Sequence, residues 1–184
     1  DLYTMIEGHE PLLCRKTDLE TLIDQTLSLD ESREFSKNFI WSEWQHVIDA
    51  WQLRSLDAYE SVPRIGRRQR LGKQQRARLW PIFEHVLKGL TTAGRSTNSM
   101  VKHHVSSTYS ERDSKPYSHI IVDEAQDLSV PDLRMLSAIS GSQEDALFLA
   151  GDLGQRIFQE PFSRRGVGVD IRGRSQTLRV NYRT

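Results

Sequence analysis

Apolar positions recur at helical spacing early in the chain and gather into short unbroken runs later. Leu19, Leu22, Ile23 and Leu27 follow Thr17-Asp18-Leu19-Glu20, a capping-box start. Phe39, Ile40, Trp44, Val47, Ile48 and Trp51 then return every three or four residues, which predicts one amphipathic helix whose aromatic side chains are core. Pro63, Gly66 and Gly72 punctuate the next stretch, predicting a loop that leads into a helix. That helix continues through Leu79, Ile82, Phe83, Val86, Leu87 and Leu90, with Pro81 predicting a kink or a fresh start. Thr91 to Ser99 and Ser106 to Ser118 are polar and predict connections.

The last third changes period. His119-Ile120-Ile121-Val122 ends abruptly in Asp123-Glu124-Ala125-Gln126-Asp127. Pro131 suits the first turn of a helix through Leu133, Leu136 and Ile139 that stops near Gly141. Ala146 to Ala150 is a second buried-strand candidate, ending in Gly151-Asp152, and Ser175 to Val180 a third, ending in Asn181-Tyr182-Arg183-Thr184. Apolar strands alternating with a helix predict an α/β fold with a buried parallel sheet, here preceded by a mainly helical subdomain over residues 1–116. Functional groups on such a sheet belong at the carboxyl ends of its strands, where all three polar clusters fall.

Composition narrows the class. The chain has 184 residues, enough to bury a core, and no apolar run near the roughly 18 residues that cross a bilayer. No export signal stands at the start, and the single cysteine, Cys14, excludes an internal disulfide framework and any multi-cysteine metal site. A cytoplasmic setting is the expectation. The chain opens on Asp1 and not on Met, so it is expected to be part of something longer. The histidines, including His103-His104, lack a ligand-spaced partner set and read as loop or surface residues.

The formal net charge of zero hides an asymmetry. Residues 1–61 hold 5 basic and 13 acidic side chains, whereas residues 62–116 hold 12 basic and 3 acidic. Arg64, Arg67, Arg68, Arg70 and Lys73 crowd the start of that positive block and point to contact with a polyanion. A solvated helix face, or a surface that pairs with the acidic first block, would leave the same pattern.

An Asp closing a buried strand, followed directly by a Glu, suits Mg-nucleotide hydrolysis: the first holds the metal and the second can activate water. Asp123 and Glu124 fit. Asp123-Glu124-Ala125-Gln126-Asp127 resembles the second motif of UvrD/Rep-like superfamily 1 DNA helicases. The stretch Leu149 to Phe158 resembles their third motif and Leu178 to Thr184 their fourth, in the family's order. The segment Phe39 to Arg78 resembles the helical insertion of their first motor domain. The resemblance implies a partial RecA-like P-loop NTPase core over residues 117–184 that uses ATP and Mg²⁺ and moves on single-stranded or forked DNA. It implies that Asp123 coordinates Mg²⁺ and Glu124 is the catalytic base. Gln126 and Asp127 would couple the site to DNA-contacting motifs, and Gln155 would sense the γ-phosphate. Gly151 and Asp152 would support that turn, Tyr182 would stack on the base, and Arg183 would approach the γ-phosphate.

Two departures stand beside these matches. Relatives continue the third motif with an aromatic and Arg-Gly, but here the stretch reads Gln159-Glu160-Pro161-Phe162, leaving Phe162 as the nearby stacking candidate. No Gly-x-x-x-x-Gly-Lys-Ser/Thr phosphate loop is present; Gly66 to Lys73 has five residues between its glycines and Gln74 where Ser or Thr belongs. The chain alone is therefore expected not to hydrolyse ATP. The competing expectations are a nuclease- or defence-associated ATPase without unwinding activity, with repair or defence proteins as partners, and a DNA-binding or docking module derived from a motor.

Overall fold

The computed structural model describes residues 1–27, 34–62, 70–143 and 145–151. Over these the chain is mostly helical. The helices are α1 (Leu2–Glu7), α2 (Lys16–Leu27), α3 (Lys37–Glu43), α4 (Leu56–Ser61), α5 (Lys73–Thr92), α6 (Asn98–Ser110) and α7 (Val130–Ile139), with strands β1 (Ile120–Val122) and β2 (Leu147–Leu149). No helix among the described residues is long and apolar enough to cross a membrane.

Two apolar cores organise these elements. The larger joins α2 through α5 and buries Leu19, Ile23, Ile40, Trp44, Tyr59, Leu79, Phe83 and Val86, with Tyr59 edge-on to Phe83. The smaller joins Val105 and Tyr109 of α6 to Ala138 and Ile139 of α7, flanked by Leu2, Tyr3 and Ile6 of α1 and by Ile120 of β1. The smaller core thus draws on both ends of the described chain.

Several local expectations change. The stretch from Phe39 to Trp51 is not one regular α-helix: α3 passes at Trp44 into a π-helical segment, Trp44–Asp49. The wider winding leaves Trp44, Val47 and Ile48 all buried, and beyond it Gln52 turns left-handed so that the Leu53 N–H donates back to the Ile48 carbonyl at 3.0 Å. Glu43, fully buried at the junction, accepts a 2.9 Å hydrogen bond from the Tyr59 hydroxyl. Nor does Pro81 interrupt α5, which runs through it for 20 residues. Pro81 and Ala77, whose carbonyl loses its partner, are both exposed, so solvent can satisfy that carbonyl and the core face is untouched.

Helix α6 occupies positions read as loop on either side. Thr97 caps it, its hydroxyl accepting the Met100 N–H at 3.1 Å and donating to the Asp49 carboxylate at 2.6 Å. The connections shrink accordingly to the residues between α5 and α6 and between α6 and β1. His103 and His104 lie on this helix, not in a loop. Helix α2 likewise starts before Thr17, with the Asp18 carboxylate accepting the Arg15 N–H.

Of the predicted buried strands over 119–122 and 146–150, residues 120–122 and 147–149 form and pair in parallel, with Ile120 opposite Leu147 and Val122 opposite Leu149, but Ile121 and Phe148 are exposed, so among the described residues the pair is covered on one face only. Helix α7 connects them, with Pro131 in its first turn as the sequence predicts and Ser129 as its cap. Ser129 and Asp132 close a reciprocal cap, and Lys102 of α6 reaches the same Asp132 at 2.5 Å. The third predicted strand, 175–180, lies outside the described residues.

Candidate functional site at the strand ends

The carboxyl ends of β1 and β2 are stitched together beyond the last paired residues. The Ala150 N–H donates to the Val122 carbonyl and the Ala125 N–H donates to the Ala150 carbonyl, both at 2.8 Å. Between these bonds the chain must turn sharply, and Glu124 does so in the left-handed region at φ 53°. A non-glycine residue held there costs on the order of 1–3 kcal/mol and persists when its surroundings over-determine it. Here they do. The Asp123 carboxylate accepts the Glu124 N–H at 2.9 Å, Gln126 Nε2 donates to the Glu124 carboxylate, and Ala125–Asp127 closes a 3₁₀ turn.

Asp123 and Glu124 are exposed at this edge, while Ala125 behind them is fully buried. Gly151, two residues beyond the β2 end, packs directly against the turn. A Cβ there would stand 2.5 Å from Gln126 Oε1 and about 3.0 Å from the Ala125 backbone nitrogen. Five candidates, Asp123, Glu124, Gln126, Asp127 and Gly151, therefore meet at one strand edge. Asp152, Gln155, Phe162, Tyr182 and Arg183 lie outside the described residues.

The positive block divides. Arg64, Arg67 and Arg68 lie outside the described residues, Arg70 is exposed, and Lys73 stands 3.8 Å from Glu60. Arg76 turns inward and donates to the Glu60 carbonyl at 2.8 Å and to those of Tyr59 and Val62, neutralising the carboxyl end of α4. Its guanidinium also lies over the Tyr59 ring, 5.5 Å from the centroid. Arg78 pairs with Glu34 at 2.6 Å and Arg95 with Asp18 at 3.3 Å, both bridges into the acidic first block. Sequence reasoning did not single out Arg76; its position facing the carboxyl end of a six-residue helix is a tertiary fact with no local signature.

The family model of the UvrD/REP helicase N-terminal domain matches residues 9–159, and the chain belongs to that family. No curated protein and no solved structure matches it.

Proposed function

We propose that this chain is part of the first, RecA-like motor domain of an ATP-dependent DNA helicase, with the bundle α2–α5 as its helical insertion and residues 117–184 carrying the nucleotide-facing motifs. The parent protein would couple ATP hydrolysis to translocation on single-stranded DNA and to duplex unwinding. The observation that carries this reading is the junction at the strand ends, where an exposed Asp-Glu pair sits on a strained turn locked against Gly151.

A lone strand-end carboxylate suits Mg²⁺, which keeps several waters and takes its other ligands from substrate phosphates. When bound, such an ion would supply charge neutralisation to the transferring phosphate. Asp123 would hold it. Glu124 would accept the proton of the attacking water, with Gln126 fixing the direction of the carboxylate through its hydrogen bond. Gln155 would read the γ-phosphate, Asp152 support its turn, Tyr182 stack on the base, and Arg183 offset charge as the phosphoryl group transfers.

In the full-length protein, Glu124→Gln should lower kcat by about 10²–10⁴-fold while leaving nucleotide affinity within about threefold, because it removes the base and preserves size and metal ligand. A single-turnover assay with a parallel nucleotide-binding titration measures both. Hydrolysis at the unaltered rate in Glu124→Gln would overturn the assignment. ATPase activity without strand separation would favour the nuclease- or defence-associated reading.

A further inference from the structure

The Asp123–Asp127 turn is held from two sides. On the strand side the Ala125-to-Ala150 hydrogen bond and the close approach of Gly151 fix it. On the helix side it passes through Leu128 into Ser129, the cap of α7. The Ser129 N–H donates to one oxygen of the Asp132 carboxylate at 3.0 Å, and the Ser129 hydroxyl donates to the same oxygen. Lys102 of α6 closes on the other oxygen at 2.5 Å. A side chain from a separate helix therefore grips the cap from which the turn hangs.

Local chemistry gives no reason for a cation at this place. The amino end of a helix carries partial positive charge, which favours Asp132 and disfavours Lys102. Both side chains are also largely withdrawn from water, at 32% and 20% exposure, a cost that an apolar pair would avoid. What the ion pair supplies in exchange is position. It sets α6 against the first turn of α7, whereas the buried contacts of Val105 and Tyr109 with Ala138 and Ile139 lie at the far end of α7.

Lys102 stands on a fixed base. Five residues earlier Thr97 caps α6 and donates its hydroxyl to the Asp49 carboxylate of the π-helical segment at 2.6 Å. Gln52 donates to that carboxylate too, at 3.2 Å. Five helical residues span about 7.5 Å, so a short, stiff length of α6 joins the helical bundle at one end to the α7 cap at the other.

We propose that Lys102 is a positioning residue for the Asp123–Glu124 edge, acting through Asp132 to fix where the turn stands relative to the helical bundle. The inference rests on the motor reading above and adds to it a residue that touches neither nucleotide nor metal.

The test is ATP turnover by the full-length protein, with kcat, KM and the thermal midpoint measured on each variant. Lys102→Met keeps an unbranched stem and removes the charge. It should lower kcat about 5–50-fold, less than the roughly 10²-fold of a misplacement by about 1 Å. The KM for ATP should stay within about threefold, since alignment is lost and not ground-state binding. Lys102→Arg restores a cation of similar reach and should recover most of the turnover. Lys102→Met/Asp132→Asn should be no slower than the slower single variant, because both changes break one contact. If Lys102→Met does not fold, Lys102→Gln, which can still donate to Asp132, carries the question with an expected loss of about 2–5-fold. A contact that serves stability alone would lower the thermal midpoint and leave kcat of the folded enzyme at the wild-type value. That result, or losses that multiply in full in the double variant, would overturn the proposal and leave the motor reading standing. A wild type without ATPase activity, or Glu124→Gln hydrolysing at the unaltered rate, would overturn the motor reading and this proposal with it.

Discussion

Gly151→Ala tests the junction on which the functional reading depends. The added methyl would sit 2.5 Å from Gln126 Oε1, 3.0 Å from the Ala125 nitrogen and 3.1 Å from the Gln126 nitrogen. The first contact involves a side chain that can swing away, but the other two are backbone. Both nitrogens belong to the turn anchored by the Ala125-to-Ala150 hydrogen bond, so relief means prising the two strand ends apart. Overpacking of this kind costs about 1–3 kcal/mol, which for a chain of this size lowers Tm by roughly 2–12 °C. Displacing Gln126 also releases the Glu124 carboxylate, and misplacing a catalytic group by about 1 Å costs on the order of 10²-fold in turnover. Differential scanning calorimetry and steady-state ATPase assays on the full-length protein would read the two effects. Adding Gln126→Ala should restore little stability, because the backbone contacts persist. Wild-type Tm and kcat in Gly151→Ala would refute the claim that the strand ends are locked together at this residue.

Three further outcomes follow from named contacts. Arg76→Met keeps the aliphatic stem but loses the bonds to the Glu60, Tyr59 and Val62 carbonyls, and should cost about 1.5–3 kcal/mol in urea unfolding while leaving the DNA salt slope unchanged. Burial alone would raise the Asp132 pKa, but hydrogen bonds from Lys102 and Ser129 and the Lys102 charge hold it below its ordinary value. Its stabilisation is therefore complete above about pH 4 and lost as pH falls through the depressed value, so Asp132→Asn should flatten the acid limb of a Tm-versus-pH curve. Neutralising Arg64, Arg67 and Arg68 together should weaken DNA binding alike across unrelated sequences and flatten the salt slope, whereas an unchanged slope would remove that segment from the DNA contacts.

What the sequence made legible was the part governed by local chemistry. Three-residue strands flanking a Pro-started helix are visible because each is a short apolar run ended by polar residues, and the parallel pairing follows from the intervening helix. Helix α6 was not visible for the same reason in reverse. Its sequence, NSMVKHHVSSTYS, is rich in Ser, His and β-branched residues that are weak helix formers. It is stabilised from outside, by the Thr97 cap that reaches Asp49 and by packing of Val105 and Tyr109 on α7. The π-helical segment escaped notice because a spacing of three and four residues fits an α-helix nearly as well, and the choice falls to how Trp44, Val47 and Ile48 fill one core.

Charge is where a linear reading blurs most. The positive block is not a single surface: Arg76 satisfies carbonyls within the bundle, Arg78 and Arg95 bridge to acids far earlier in the chain, and Arg70 faces solvent. Exposed pairs of this kind contribute at most about 1 kcal/mol each, so their main effect is to remove charge from what a polyanion meets. A run of arginines records where charge is abundant. Where that charge goes is set by tertiary neighbours: the carboxyl end of α4 takes Arg76, and acids of the first block take Arg78 and Arg95, so abundance in sequence does not by itself make a binding surface.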